Sequence, residues 1–384
     1  MTVAPRTARL AGVDRRAMGA LSLGHLFTDV SQGSVPALLP FLIARDHLNY
    51  AEVSALILAA TISSSVIQPL FGHVSDRLSL SWLMPLGPAL GGLGIALVGL
   101  APNYSLIFAA VVLSGIGVAA FHPEGSRFAN YASGARRASG MSLFSVGGNV
   151  GFAVGPILMT PLVLAFGLHG TLFILIPTFG AAALLAFELP RLRGFRTDVV
   201  GGRVERTDQE EAWGPFALLA VVIALRSFVY FGMVTFVPLY YVRVLHTSNA
   251  LGNAALSAML LGGAAGTLAG GLLADRFGRR TVLIGSMLVL PPLVTGFLLS
   301  GPALALVFAT LAGAATIATF AVTIVMGQEY LPGRLGVASG VTIGLSIGLG
   351  GLGAPLLGLL ADAHGLRAVF ETVAVLPLLA IGVA

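Results

Sequence analysis

Apolar residues in this chain fall into runs of bilayer length, and nothing else limits the fold as severely. A helix needs about 20 predominantly apolar residues to cross the hydrocarbon core. Twelve stretches qualify: 17–44, 52–74, 81–101, 104–122, 139–165, 170–189, 215–242, 252–274, 281–300, 303–327, 337–361 and 367–384. A backbone in lipid must satisfy its own hydrogen bonds, so these runs predict an all-α membrane protein with twelve transmembrane helices. A soluble domain is excluded, because only 10% of the 384 residues are charged and the mean hydropathy is +0.93. The 50 glycines suit helices whose backbones approach closely in lipid. The first stretch is too long for a signal-peptide core and is expected to be a retained helix. The last stops at Ala384 with no flanking charge, as a trimmed chain would.

The polar remainder narrows the chemistry. There is no Cys, which excludes disulfides, thiol nucleophiles and Cys-bound metals. There is no Lys either, so a phosphate-binding loop ending in Gly-Lys-Ser/Thr cannot exist and the chain cannot drive a pump by its own ATP hydrolysis. With the N-terminus placed in the cytoplasm, seventeen of the 21 arginines fall on that side. Arg45, Arg243 and Arg367 fall on the other, and Arg226 lies inside the seventh stretch. That asymmetry is the positive-inside pattern. The basic pI near 10.1 therefore reflects loop topology and gives no reason to expect nucleic acid as a partner.

The chain repeats itself. Gly72 to Arg77 matches Gly271 to Arg276, Ala138-Ser139-Gly140 matches Ala338-Ser339-Gly340, Pro40 and Arg45 match Pro238 and Arg243, and Pro156 matches Pro355. The longest polar stretch, 190–213, separates the copies. The expected organisation is a six-helix bundle over 1–189, a cytoplasmic linker over 190–213 and a second six-helix bundle over 214–384. Six spans repeated is a secondary-transporter pattern, with the substrate site between the halves at mid-membrane.

Gly271 to Arg280, GLLADRFGRR, resembles the loop signature of the major facilitator superfamily. Gly147, Gly151 and Gly155-Pro156 resemble the glycine-rich signature of its drug/proton antiporters. The segments His25-Leu-Phe-Thr-Asp29, Phe121 to Arg127, Val146 to Asn149 and Gln328-Glu329 with Pro332 resemble the fosmidomycin-resistance branch. The resemblance implies two pseudo-symmetric bundles around a cavity lined by the first, fourth, seventh and tenth spans, in the inner (plasma) membrane of a bacterium. It also implies gating by Asp76, Arg77, Asp275, Arg276 and Arg280. The first copy of the loop lacks the glycine and the trailing basic pair of the second.

Ionisable groups at mid-membrane cost about 2.5–3.5 kcal/mol on insertion scales, so those present are candidates for function. Asp29 sits near the middle of the first stretch with His25 one turn before it. The pair reads as a proton-coupling site or as a buried packing pair. Glu124 and His122 end the fourth stretch and are candidates for proton transfer or simply interfacial groups; Glu329 is read as interfacial. Arg226 suits a carboxylate or phosphonate, which guanidinium holds bidentately. Its alternative is a structural ion pair with Asp29 or Glu124. Gln32, Asn149, Tyr230 and Phe236 are weaker substrate-binding candidates. Gly147, Gly151, Gly155 and Pro156 predict a flat seam and a kink. Gly344 to Gly348 and Gly348 to Gly353 mimic a hydrolase elbow and a dinucleotide fingerprint, but both lie in a membrane helix where those motifs have no strand to follow.

The function expected is a proton-coupled exporter of small drugs or phosphonate-like compounds, monomeric, drawing on the proton gradient and calling for no cofactor or resident metal. A proton-coupled importer of a small organic anion is the alternative. No reactive cluster suggests an enzyme.

Overall fold

The computed structural model describes residues 12–78, 80–134, 136–195, 211–334, 338, 341–342 and 345–383, with the side chains of 66, 69, 72–78, 137–139, 333 and 345 outside that set. The expected gating pair Asp76 and Arg77 lies among those side chains. The described residues are helical throughout, with no strand among them. Ten helical segments are long and apolar enough to cross a membrane, and Tyr50–Ser65 is a shorter apolar helix.

The helices run α1 (Arg15–Asp46), α2 (Tyr50–Leu78), α3 (Leu83–Leu100), α4 (Tyr104–Ala132), α5 (Arg137–Phe166), α6 (Leu175–Arg193), α7 (Trp213–Arg243), α8 (Asn249–Phe277), α9 (Arg279–Leu299), α10 (Pro302–Ala318), α11 (Phe320–Tyr330) and α12 (Gly350–Val383). The starts of α1, α4 and α8 carry side-chain caps: Asp14 accepts from the Ala17 amide, Asn103 from Leu106 and Ser248 from Leu251. A left-handed Gly167 separates α5 from the 3-10 turn before α6, and Gly365, with φ of 83°, breaks α12 between its two apolar segments. The stretch read from sequence as 303–327 is divided at Thr319 into α10 and α11. A π-helical turn, Leu345–Leu349, leads into α12.

Missing side chains let two helix pairs pack backbone to backbone. A Cβ added at Gly147, Gly151 or Gly155 of α5 would lie 2.5, 2.1 and 2.5 Å from backbone atoms of Ser22, Leu26 and Gly33 in α1. The glycines at 262, 266 and 270 of α8 meet the carbonyls of Thr310, Ala314 and Ala318 in the same way, at 2.3, 2.1 and 1.9 Å. No residue but glycine fits such a seam without moving the helices apart. Gly151→Ala is therefore expected to lower thermal stability by about 1–3 kcal/mol, the range for overpacking. Gly180→Ala, whose added methyl meets nothing within 4 Å, serves as the control and should leave the melting temperature unchanged or slightly raised.

The halves meet through α2 against α12, α5 against α8 and α1 against α7. At the end carrying the α1–α2 and α7–α8 turns they are latched. Asn253 donates to the Ala37 carbonyl at 3.0 Å and to Thr160 Oγ1 at 2.8 Å, and Asp362 accepts from the Tyr50 and Ala51 amides at 2.8 and 2.9 Å. A carboxylate at a helix N-terminus is favoured by the helix dipole and by the free amides there. At the opposite end a cavity of about 900 Å³ opens along the α1–α5 seam. The linker's last residues are tied down: Ala212 donates its amide to Tyr330, and the Arg334 guanidinium reaches Glu211 at 2.9 Å. Hydrogen bonds from Arg334 and Trp213 hold the Glu211 carboxyl below its ordinary range.

Candidate functional site

Three side chains from two helices converge inside the N-terminal half. His25 and Asp29 stand one turn apart on α1, and α4 brings in His122. His25 Nε2 lies 3.3 Å from His122 Nε2 and 3.3 Å from Asp29 Oδ2, while His122 Nε2 lies 3.5 Å from Asp29 Oδ1. The imidazole of His25 is stacked on Phe144, with centroids 4.2 Å apart, and packs beside Phe121. Gly148 of α5 faces the cluster: a Cβ there would sit 2.3 Å from His25 Nε2, so glycine is required for the three groups to meet.

The hydrogen bonds on the far sides of the rings decide what the cluster can do. His25 Nδ1 is 2.8 Å from the Phe144 carbonyl, and His122 Nδ1 is 2.8 Å from the Val118 carbonyl. A carbonyl only accepts, so each Nδ1 carries its hydrogen and each neutral ring turns a lone pair inward at Nε2. With both rings neutral, two lone pairs and a carboxylate face one another with no donor between them. Asp29 Oδ1 is buried and has no hydrogen-bond partner. Such a set is acceptor-only until a cation enters it, and a proton on either Nε2 converts the contacts into charge-assisted hydrogen bonds.

The second element is Arg226 on α7, with 2% exposure. Its Nη2 donates to Ser346 Oγ at 2.9 Å and its Nη1 to the Thr316 carbonyl at 3.4 Å, and the guanidinium lies 5.6 Å from the Phe320 ring centroid. Nε is buried without an acceptor. Among the described residues no carboxylate pairs with it. The structural ion pair with Asp29 or Glu124 is thereby corrected: Asp29 faces the two histidines, and Glu124 is buried against Arg127 at 2.9 Å. Tyr230, one turn along α7, is half-buried with its ring edge-on to Phe231, centroids 5.3 Å apart.

The remaining candidates are scattered. Gln32 is half-buried on α1, and Asn149 is exposed on α5. Phe236 is fully buried among the apolar residues of the core cluster. Asp275, Arg276 and Arg280 are exposed around the α8–α9 turn, Arg276 lying over the Phe277 ring. Glu329 pairs with Arg279 at the same end. Pro156 follows the glycine seam inside α5 and its carbonyl accepts from Thr160 at 2.6 Å. Ser346 was legible in sequence only as part of a false elbow; its place in a π-helical turn is what aims its hydroxyl at Arg226.

Comparison with known proteins agrees with this architecture. The family model of the Major Facilitator Superfamily matches residues 21–259 and 219–384. An uncharacterized MFS-type transporter, YfnC, of Bacillus subtilis is 32% identical over 372 residues, covering 94% of this chain and 90% of the relative. The fosmidomycin resistance protein of Escherichia coli is 31% identical over 371 residues, with the same coverage of 94% and 90%. Among solved structures, a bacterial homologue of the human lysosomal transporter Spinster, in an inward-facing and unoccupied conformation, superposes with a TM-score of 0.78 over 97% of both chains at 16% identity. The nucleoside transporter NupG superposes with a TM-score of 0.72 at 14% identity, over 95% of this chain and 98% of its own. These relatives and neighbours are transporters rather than enzymes. The chain belongs to the major facilitator superfamily of membrane transporters, and resembles its fosmidomycin-resistance branch.

Proposed function

We propose that this protein is a proton-coupled secondary transporter that exports small drugs or phosphonate-like organic compounds. The observation that carries the reading is the acceptor-only cluster of His25, Asp29 and His122, whose Nδ1 hydrogens are held by backbone carbonyls. A site that needs a cation and is walled by small and aromatic residues is suited to taking up one proton and releasing it again. Arg226 supplies the other half of the mechanism: a desolvated guanidinium with an unused Nε is matched to an anionic head group, which two N–H donors can hold side by side.

The reading includes twelve spans in two six-helix bundles (1–189 and 214–384), a cytoplasmic N-terminus and linker, and a monomer in the bacterial inner membrane. The arginine asymmetry and the latch between α2 and α12 support this arrangement. Asp275, Arg276, Arg280, Asp76 and Arg77 then gate the cytoplasmic end, and no cofactor takes part.

Arg226 also fits a second direction, proton-driven import of a small organic anion, because a cation without a counter-ion suits either. Expression in a pump-deficient bacterial host, followed by susceptibility to a panel that includes phosphonates, separates the two. Export should lower susceptibility to at least one compound, and membrane vesicles with an imposed pH gradient should move that compound against its own gradient. Unchanged susceptibility to every compound, with the protein verified in the membrane and a small organic anion accumulating inwards with protons, would replace export by import.

A further inference from the structure

The same three side chains have a geometry that a proton does not require. A tetrahedral zinc ion with arms of about 2.0–2.1 Å holds neighbouring ligand atoms about 3.3 Å apart. The two Nε2 atoms lie 3.3 Å apart, one such edge, and each reaches a different oxygen of Asp29, His25 Nε2 lying 3.3 Å from Oδ2 and His122 Nε2 3.5 Å from Oδ1. With one ligand atom taken from each residue, all three lie within 4.8 Å of one another. Both rings donate the Nδ1–H to a backbone carbonyl at 2.8 Å, so in its neutral form each presents at Nε2 the unprotonated nitrogen that a metal needs. Carbonyl partners of this kind fix the orientation of metal-binding histidines and raise their basicity. The orphaned Asp29 Oδ1 gives the carboxylate an unused lone-pair edge on the same centre, and Gly148 leaves the space beside it open.

We propose that His25, Asp29 and His122 form a binding site for a divalent transition-metal ion, zinc above all, with three protein ligands and at least one coordination position left for water or another ligand. Two imidazoles and one carboxylate are a borderline donor set that suits zinc, cobalt or nickel. Calcium and magnesium prefer all-oxygen shells, which this cluster does not offer. Three protein ligands with an open position set such a site apart from the closed four-ligand structural ones. The inference does not rest on the transport reading, since it concerns metal binding by the protein without substrate or gradient.

The test uses the full chain purified in detergent, freed of any histidine tag and stripped with a chelator. Zinc is titrated with thermal unfolding and bound-metal stoichiometry as readouts, and cobalt is titrated with its visible absorption. The expected result is one ion per chain, a rise in melting temperature on zinc addition, and a cobalt spectrum of low coordination number that zinc bleaches. His122→Ala should weaken binding by more than about tenfold. Asp29→Asn should weaken it as well while keeping the shape of the side chain. His364→Ala, on the far side of the molecule at an exposed position, should change nothing. Absence of saturable zinc and cobalt binding to the unmodified chain overturns the proposal whatever the variants do. So does stoichiometric binding that survives undiminished in both His122→Ala and Asp29→Asn, provided those variants unfold as cooperatively as the parent.

Discussion

Asp29→Asn is expected to abolish gradient-driven transport while leaving the protein folded and able to exchange substrate down its gradient. The amide has nearly the volume of the carboxyl, so the packing of α1 against α5 is undisturbed. It cannot hold a titrating proton, and it removes the negative charge that would stabilise an imidazolium at His25 or His122, 3.3 and 3.5 Å away. Each proton carried across contributes about 2.3 kcal/mol per 100 mV of membrane potential, and all of that drive is lost if the carrier cannot bind the proton. The measurement is uptake of substrate into reconstituted vesicles with and without an imposed pH gradient, beside counterflow with no gradient. Counterflow should persist and the gradient-dependent component should fall to background. His25→Ala should be milder, moving the pH optimum, because His122 keeps one basic nitrogen beside the carboxylate. Full pH-driven accumulation by Asp29→Asn would remove Asp29 as the coupling group and make Glu124→Gln the next variant to assay.

Arg226→Ala is expected to raise the KM for anionic substrates by roughly tenfold to a hundredfold, the span covered by one to two lost charge-assisted hydrogen bonds of about 1.5 kcal/mol each. Neutral and cationic substrates should be affected far less. Arg226→Lys should recover part of the loss, because it restores charge without the planar fork. Stability distinguishes this role from a structural one. Breaking a buried ion pair costs about 3–5 kcal/mol, whereas deleting a cation that, among the described residues, is held by a serine hydroxyl and a carbonyl rather than a carboxylate should cost less than that. A large drop in melting temperature, with equal transport losses across substrate charge classes, would make Arg226 a packing residue.

The all-helical membrane fold was legible because lipid leaves so few choices: bilayer-length runs have to be helices. The α5 seam could be read from glycines four residues apart ending at Pro156. The matching α8 seam uses the same spacing at 262, 266 and 270 but drew no attention, since glycines at 252, 263 and 271 blur its period. Convergence over long sequence separations was harder. His122 is 93 positions from Asp29, and the carbonyls that fix the two histidine tautomers belong to Phe144 and Val118, whose side chains say nothing about them. The bond from Arg226 to Ser346 depends on a π-helical turn, which no periodicity announces. The burial of Phe236 was hidden for a related reason: a large aromatic ring on a membrane helix can point to either side, and only packing shows which.

The carboxylate of Asp362 covers the first amides of α2 from the other half of the molecule, so that helix end is complete only while the two halves touch there. Any rearrangement that parts them must hand those N–H groups to water. Losing such a cap costs about 1 kcal/mol, which multiplies the ratio of latched to unlatched molecules at rest by roughly five. The cap therefore favours contact between the two halves at that end, and anything that parts them there must first offset it.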